Sequence, residues 1–142
     1  MLQADFDSVA DARLRFVERR PGGTRAVLAS ANLQGLDLAQ RNLREADFTG
    51  ANLFGARLAA VDLERATLFC AVLRECDLRH ANLKGADLRG AVFRGAKLAH
   101  ARFAKANIRS LPLQGDQLQN TDLTGAGFVA GQFARALRDD LS

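Results

Sequence analysis

Trp and Tyr are absent, and Phe supplies the whole aromatic content of 6%. A core built on large rings, or an aromatic platform for stacking RNA bases, is thereby disfavoured. Cysteine is scarce too: two in 142 residues make no disulfide framework, which favours a reducing compartment, the cytoplasm. Long apolar runs are missing. The longest, Leu68 to Leu73, has six residues, far short of the roughly 20 that cross a bilayer as a helix. No export signal is visible, because Asp5, Asp7 and Asp11 stand where a basic start and an apolar stretch would be needed. Neither sign of charge dominates: 20 Lys and Arg against 16 Asp and Glu leave a formal +4, with no polycationic tail. What is present, 48% hydrophobic and 25% charged residues, is the composition of a folded chain with room for one domain.

One regularity organises the chain. From Leu28 every fifth residue is Leu, Phe or Ile, through Leu33, Leu38, Leu43 and Phe48 to Phe128 and Phe133, at 22 positions without a slip. Two residues before these a small residue dominates, Ala in 14 of the 22, and between the two stands Asn or Asp in 11 of them. Gly recurs two residues after the large apolar position, as at Gly35, Gly55 and Gly90. A period of five fits no ordinary element. On a helix it smears the leucines round every face, and on a flat strand it sends successive leucines to opposite sides. It becomes consistent when each quintet forms one side of a square coil. Ala and Leu then point inward, the other three positions point outward, and Gly with Asn or Asp serves the bend.

The units Ala31-Asn32-Leu33-Gln34-Gly35, Ala51-Asn52-Leu53-Phe54-Gly55 and Ala86-Asp87-Leu88-Arg89-Gly90 resemble pentapeptide repeats, and the resemblance covers about residues 26–135. It implies an all-β fold, a right-handed quadrilateral β-helix of four repeats per coil. With 22 repeats that is about 5.5 coils, a solenoid roughly 26 Å long at the usual strand spacing. Leu111-Pro112-Leu113 and Asp116-Gln117-Leu118 keep the period but point to a less regular last coil. Asp116, at an inward position, requires a hydrogen-bond partner there or an opening of the coil.

Open solenoid ends need covers. Residues 1–25 form the N-terminal capping segment, 26–135 the solenoid, and 136–142 the end of a short C-terminal capping helix in which Phe133, Leu137 and Leu141 share a face. That helix serves either as a cap or as a homodimer contact. Two readings stand for the N-terminal segment. A helix follows from the capping-box pair Ser8 and Asp11 and from the shared face of Val9, Ala12, Phe16 and Val17, with Pro21-Gly22-Gly23 ending it. A hairpin would instead pair Leu14 and Phe16 with Val27 and Leu28. The helix is preferred. Ala4-Asp5-Phe6 copies the repeat motif outside its register and reads as a coincidence.

Catalysis needs a nucleophile, base or metal set in a cleft, and a solid solenoid offers none, so the chain reads as no enzyme, without cofactor or metal. His80 and His100 lie 20 residues apart, hence stacked in a column shared with Gln40, Ala60 and Asn120. They read as exposed turn residues rather than ligands, for want of a third donor. Cys76 is a core residue and Cys70 an outward turn residue.

The 20-residue coil makes surface columns readable. Asp37, Arg57, Asp77 and Lys97 alternate in sign, as do Arg44, Glu64 and Lys84, and Glu45 sits below Arg65; two faces are therefore self-neutralised. The other two carry Phe54, Arg74 and Arg94 in one column, Phe69, Arg89 and Arg109 in another, and Val72 and Val92 with Pro112 continuing their column. Aromatic residues beside Arg are the composition of interface hot spots, so these residues are the candidate partner-binding surface. A basic belt of Arg74, Arg79, Lys84, Arg89 and Arg94 has nucleic acid as its obvious partner, but Glu75, Asp77 and Asp87 lie close and disfavour it. The expected function is a non-catalytic protein-binding module or scaffold in a bacterial cytoplasm, with a partner of unknown identity and no membrane. The family resemblance supplies the alternative, gyrase interaction through a DNA-like negative rod, and the net positive charge opposes it.

Overall fold

In the computed structural model, the described residues are 1–17, 26–109, 111–112, 118–119, 121–127 and 132. Backbone bonding explains why a quintet is the unit. The Leu33 amide donates to the Asn52 carbonyl at 2.7 Å, and the Asn52 amide donates to the Ala31 carbonyl at 2.9 Å. The same exchange recurs every five residues, giving parallel bridges such as Val27 with Asp47, Asn32 with Asn52, Asp37 with Arg57 and Asn42 with Asp62. Partners twenty apart with bridges five apart define a four-sided coil. We number the faces by their buried leucines: the first holds Leu28 and Leu68, the second Leu33 and Leu53, the third Leu38 and Leu58, the fourth Leu43 and Leu63.

Each corner is a tight turn. The Ala31 amide donates to the Leu28 carbonyl at 3.1 Å, and Ser30 between them has φ +57°. A positive φ at the third residue is the type II requirement and the reason for Gly. Yet Gln40, Ala60, Cys70, His80 and His100, among others, adopt it without being Gly. Inter-coil bonds on both sides of the corner hold them there against a local preference of about 1–2 kcal/mol. The Asn or Asp that stands second in the quintet uses its side-chain oxygen to accept the amide two residues on. Asn32 does so for Gln34, Asp47 for Thr49, Asn52 for Phe54, Asp87 for Arg89 and Asp122 for Thr124, at 2.9–3.3 Å. That amide points away from the next coil, so the side chain satisfies what the ladder leaves over.

The interior is the Ala and Leu ladder. Leu33 through Leu98, with Phe48 and Phe93, are wholly buried, and Phe103 nearly so. Cys76 sits in an inward slot, its Sγ donating to the Leu53 carbonyl at 2.8 Å. Burial, first of all, pushes its thiol up to about 12.

The N-terminal segment is a helix, α1 (Gln3–Val17), as preferred over the hairpin. It begins five residues before the Ser8 capping box; Ser8 lies inside it and donates to the Ala4 carbonyl at 3.2 Å. Phe6, set aside with its motif as a coincidence, is wholly buried, and Ala10 one turn on is buried beside it. The helix is moored by polar bonds to the first coil: Gln3 both accepts from the Asp37 amide and donates to its carbonyl, at 2.8 and 2.9 Å. Arg41 reaches Asp7 at 2.7 Å. Arg41 occupies a position that mostly holds inward Ala, and at the solenoid's end it turns to the helix instead.

The regular spacing fails once. Bridges join residues twenty apart up to Asp87 with Asn107, but Val92 pairs with Asp122 and Lys97 with Gly127, thirty apart. The step between bridged residues is ten longer at this corner, where β1 (Leu111–Pro112) pairs antiparallel with β2 (Leu118–Gln119). One column assignment is thereby corrected: Asp122, not Pro112, follows Val92, and in the same way Gly127 lies over Lys97; Asn120, read into the column of His80 and His100, lies outside the described residues. The reason is that ten is a multiple of five, so the insertion leaves the sequence period intact. Asp116 and the predicted C-terminal helix, with Phe133, Leu137 and Leu141, lie outside the described residues.

Corner strain is testable at two glycines of equal backbone shape. Gly55 (φ +66°) has open space where a Cβ would go, whereas a Cβ at Gly95 (φ +71°) would collide with the Glu75 carboxylate. Gly55→Ala should cost about 1 kcal/mol of unfolding free energy in urea. Gly95→Ala should cost about as much, because the carboxylate it meets is the far end of the exposed Glu75 side chain, which can swing aside; a markedly larger cost, removed by Glu75→Ala, would show that Glu75 is held in place.

Candidate functional site

The charged columns form in part. Arg57 lies 3.6 Å from Asp37, Arg44 2.8 Å from Glu64, and Arg65 3.4 Å from Glu45. Asp77 instead turns within its own quintet and takes both Nε and Nη2 of Arg79, at 2.9 and 2.8 Å. Asp87 holds Arg89 in the same fork, at 2.9 and 2.7 Å. Asp-Leu-Arg is thus a local clamp: Asp and Arg flank an inward Leu and meet on the outer face. The Arg79 side chain, first, holds the Asp77 carboxyl below its ordinary value. At Asp87 burial opposes ionisation, but the Arg89 side chain, amide and charge together still leave the carboxyl lowered.

The belt of five cations is therefore largely neutralised. Arg79 and Arg89 are clamped and Arg94 is paired with Asp122 at 2.8 Å, while Arg74 and Lys84 stand exposed with no ion pair among the described residues.

On the candidate partner surface, the two aromatics differ. Phe69 is half-buried on the first face, and the clamped Arg89 guanidinium lies over its ring, 5.4 Å from the centroid. Phe54 on the second face is exposed, at 37%, and no guanidinium among the described residues covers it. Arg74 lies one coil on in its column, since the Gly55 amide donates to the Arg74 carbonyl at 2.9 Å. Val72 and Val92 are half-buried beside this column, and Arg109 is exposed on the first face. His80 and His100 stack with ring centroids 5.1 Å apart and planes 13° from parallel. Among the described residues no group of three His, Cys, Asp or Glu is placed to hold a metal ion, and no helix is long and apolar enough to cross a membrane.

An open polar groove of about 480 Å³ lies between α1 and the third face, lined by Gln3, Asp7, Asp37, Gln40, Arg41 and Arg57. The periodicity did not disclose it, because it depends on the helix. Its sequence signal was Arg41 in a small-residue column.

A family profile described as Pentapeptide repeats matches in eight copies, over residues 31–68 and 71–109. The chain belongs to the pentapeptide repeat family. Its four-sided coil is accordingly the family's right-handed quadrilateral β-helix. A solved pentapeptide repeat protein, Rfr23 from the cyanobacterium Cyanothece 51142, is 27% identical, with 91% of this chain and 98% of that chain covered at a TM-score of 0.61. A pentapeptide repeat protein of the Arabidopsis thaliana thylakoid lumen is 25% identical over 66% of this chain and 72% of that chain, at a TM-score of 0.45. QnrB1, a plasmid-mediated fluoroquinolone resistance protein, is 21% identical over 77% of this chain and 65% of that chain, at a TM-score of 0.39. Comparison with curated proteins returns no match.

Two measurements check this chemistry. Bonds from the Thr124 side chain and amide, and then Arg94, hold the Asp122 carboxyl down to about 2. A carboxyl lowered in the folded state stabilises fully above its unfolded value and loses that contribution as the pH falls through its folded one. Asp122→Asn should therefore flatten the decline in stability between pH 3.8 and about 2. A thiol reagent at neutral pH should titrate Cys70 in the native protein and both cysteines in denaturant, since Cys76 is buried and protonated.

Proposed function

We propose that this pentapeptide repeat protein is a non-catalytic module that docks a protein partner on its second face, at Phe54 and Arg74. The observation that carries the reading is the exposure of Phe54 beside an exposed Arg74 that has no ion pair among the described residues, on a solenoid whose Phe69, also outward, is covered by a clamped Arg89. Phe and Arg at the centre of a patch, with the half-buried Val72 between them in sequence, supply the apolar area and planar donor set that dominate interface energetics. The coil supplies the rest. Its backbone is bonded from coil to coil on every side, so the patch is ordered before the partner arrives and little entropy is lost on docking.

Gyrase interaction by DNA mimicry is the weaker reading: it needs a negative surface, and the chain carries +4. The cytoplasm fits the two free thiols.

The test is affinity capture from the source cell with the unaltered chain, with Phe54→Ser plus Arg74→Ser, and with Arg65→Ser as a control in the Glu45 pair. The double variant should lose the captured protein while melting like the control. Equal capture by all three would sink the reading.

A further inference from the structure

Charge is not spread evenly along the coil. Residues 88–115 contain no Asp or Glu, yet hold six Lys or Arg. The two nearest the start of that stretch are neutralised from outside it, Arg89 by Asp87 and Arg94 by Asp122. The remaining four, Lys97, Arg102, Lys105 and Arg109, are all exposed, and none forms an ion pair among the described residues. They belong to successive parts of one turn of the solenoid. Lys97 is at the middle of the third face, bridged to Asp77, and Arg102 is at the middle of the fourth, bridged to Asn82. Lys105 stands at the following corner with φ +60°, and Arg109 on the first face, its amide bonded to Asn107. The stacked pair His80 and His100 lies at the corner between Lys97 and Arg102. Of the acids in the coil below, Asp77 is clamped by Arg79 and also feels the charge of Lys97, Asp87 is clamped by Arg89, and Glu75 reaches up to the Gly95 corner with no ion pair among the described residues.

We propose that this turn binds the phosphodiester backbone of a single-stranded nucleic acid, at a site separate from the Phe54 and Arg74 patch. A run of exposed cations outside any ion pair, on a stretch of chain without a carboxylate of its own, is the electrostatic footprint of a polyanion site. Its curvature selects among polyanions. The four cations face outward over three sides of the coil, so a flat anionic membrane or a stiff duplex meets only one side at a time. A flexible single strand can bend around the corners and engage all four. The imidazole stack adds the flat ring on which a strand's bases settle. The belt centred on Lys84 holds less free charge, because two of its arginines are clamped by their own quintets and a third is paired with Asp122, which leaves Arg74 and Lys84.

The test is fluorescence anisotropy with a labelled single strand of about 15 thymidines, a length within single-strand site sizes, and the full chain. Binding at low salt should weaken with a slope of log affinity against log salt near about −3, the value for four phosphate contacts on a single strand. Each of Lys97→Gln, Arg102→Gln, Lys105→Gln and Arg109→Gln should reduce that slope by about 0.7. All four side chains are exposed, so thermal melting should not change. His100→Ala should lower affinity several-fold and leave the slope in place. Phe54→Ser should leave binding unchanged, which separates this site from the protein-docking patch. The proposal is overturned if the single strand does not bind at low salt. It is equally overturned if the quadruple variant binds as well as the unaltered chain, or if a duplex, anionic phosphatidylserine vesicles or polyglutamate bind as tightly as the single strand.

Discussion

Everything in this molecule depends on one repeated exchange, in which a quintet's second residue and the leucine after it bond to the coils on either side. Because each exchange joins residues twenty apart, no quintet is stable alone; each is a side of a square completed by its neighbours. The inward slots then have fixed sizes. Ala at one and Leu at the next fill the interior, and the repetition of those two volumes lets coils superimpose without lateral drift. The corners follow from the same constraint. A local left-handed residue is costly for most side chains, yet it persists at Gln40, Ala60 and His80 because the bonds before and after it leave no other path.

That second residue, where it is Asn or Asp, does more than decorate the outside. It accepts an amide that faces away from the next coil, and where it is Asp with an Arg two residues later, as at Asp77 and Asp87, it also clamps that Arg. One residue type thereby settles backbone satisfaction and surface charge together. That is why columns of opposite charge are only a partial guide here: Arg57, Arg44 and Arg65 meet their column partners, but Asp77 has Arg57 below it and Lys97 above it and binds neither as it binds Arg79. A charge two residues away on a rigid strand reaches the carboxylate with less ordering of its own side chain than one on another coil, and the nearer partner wins.

The coil was legible in the sequence because a five-residue pattern of volumes can be satisfied in few ways, and the buried ladder from Leu33 to Leu98 obeys it. The excursion after Asn107 was not legible from period alone, since its length is a whole number of quintets. The visible marks were chemical, Pro112 and the inward-register Asp116, and both fall in the sequence between Asn107 and Asp122. The helix was legible as an element and misplaced by several residues. Its anchor, Phe6, imitates the repeat, and periodicity cannot tell a helix residue from a repeat residue when one copy stands alone. For the candidate surface, the sequence named the residues but could not rank them. Which phenylalanine is covered depends on which arginine is already engaged, and that is decided in three dimensions by Asp87.

The distribution of charge has a consequence for approach rather than for contact. Helix α1 carries Asp5, Asp7 and Asp11 together with Arg13 and Arg15, and Asp7 is paired with Arg41, so that end is close to charge-balanced, whereas the acid-free stretch gathers free cations several coils away. Among the described residues the excess of positive charge thus lies toward one end of the coil. In the field of a negatively charged body it would rotate before it collides, presenting the cationic turn foremost and trailing its helix, so that orientation precedes recognition.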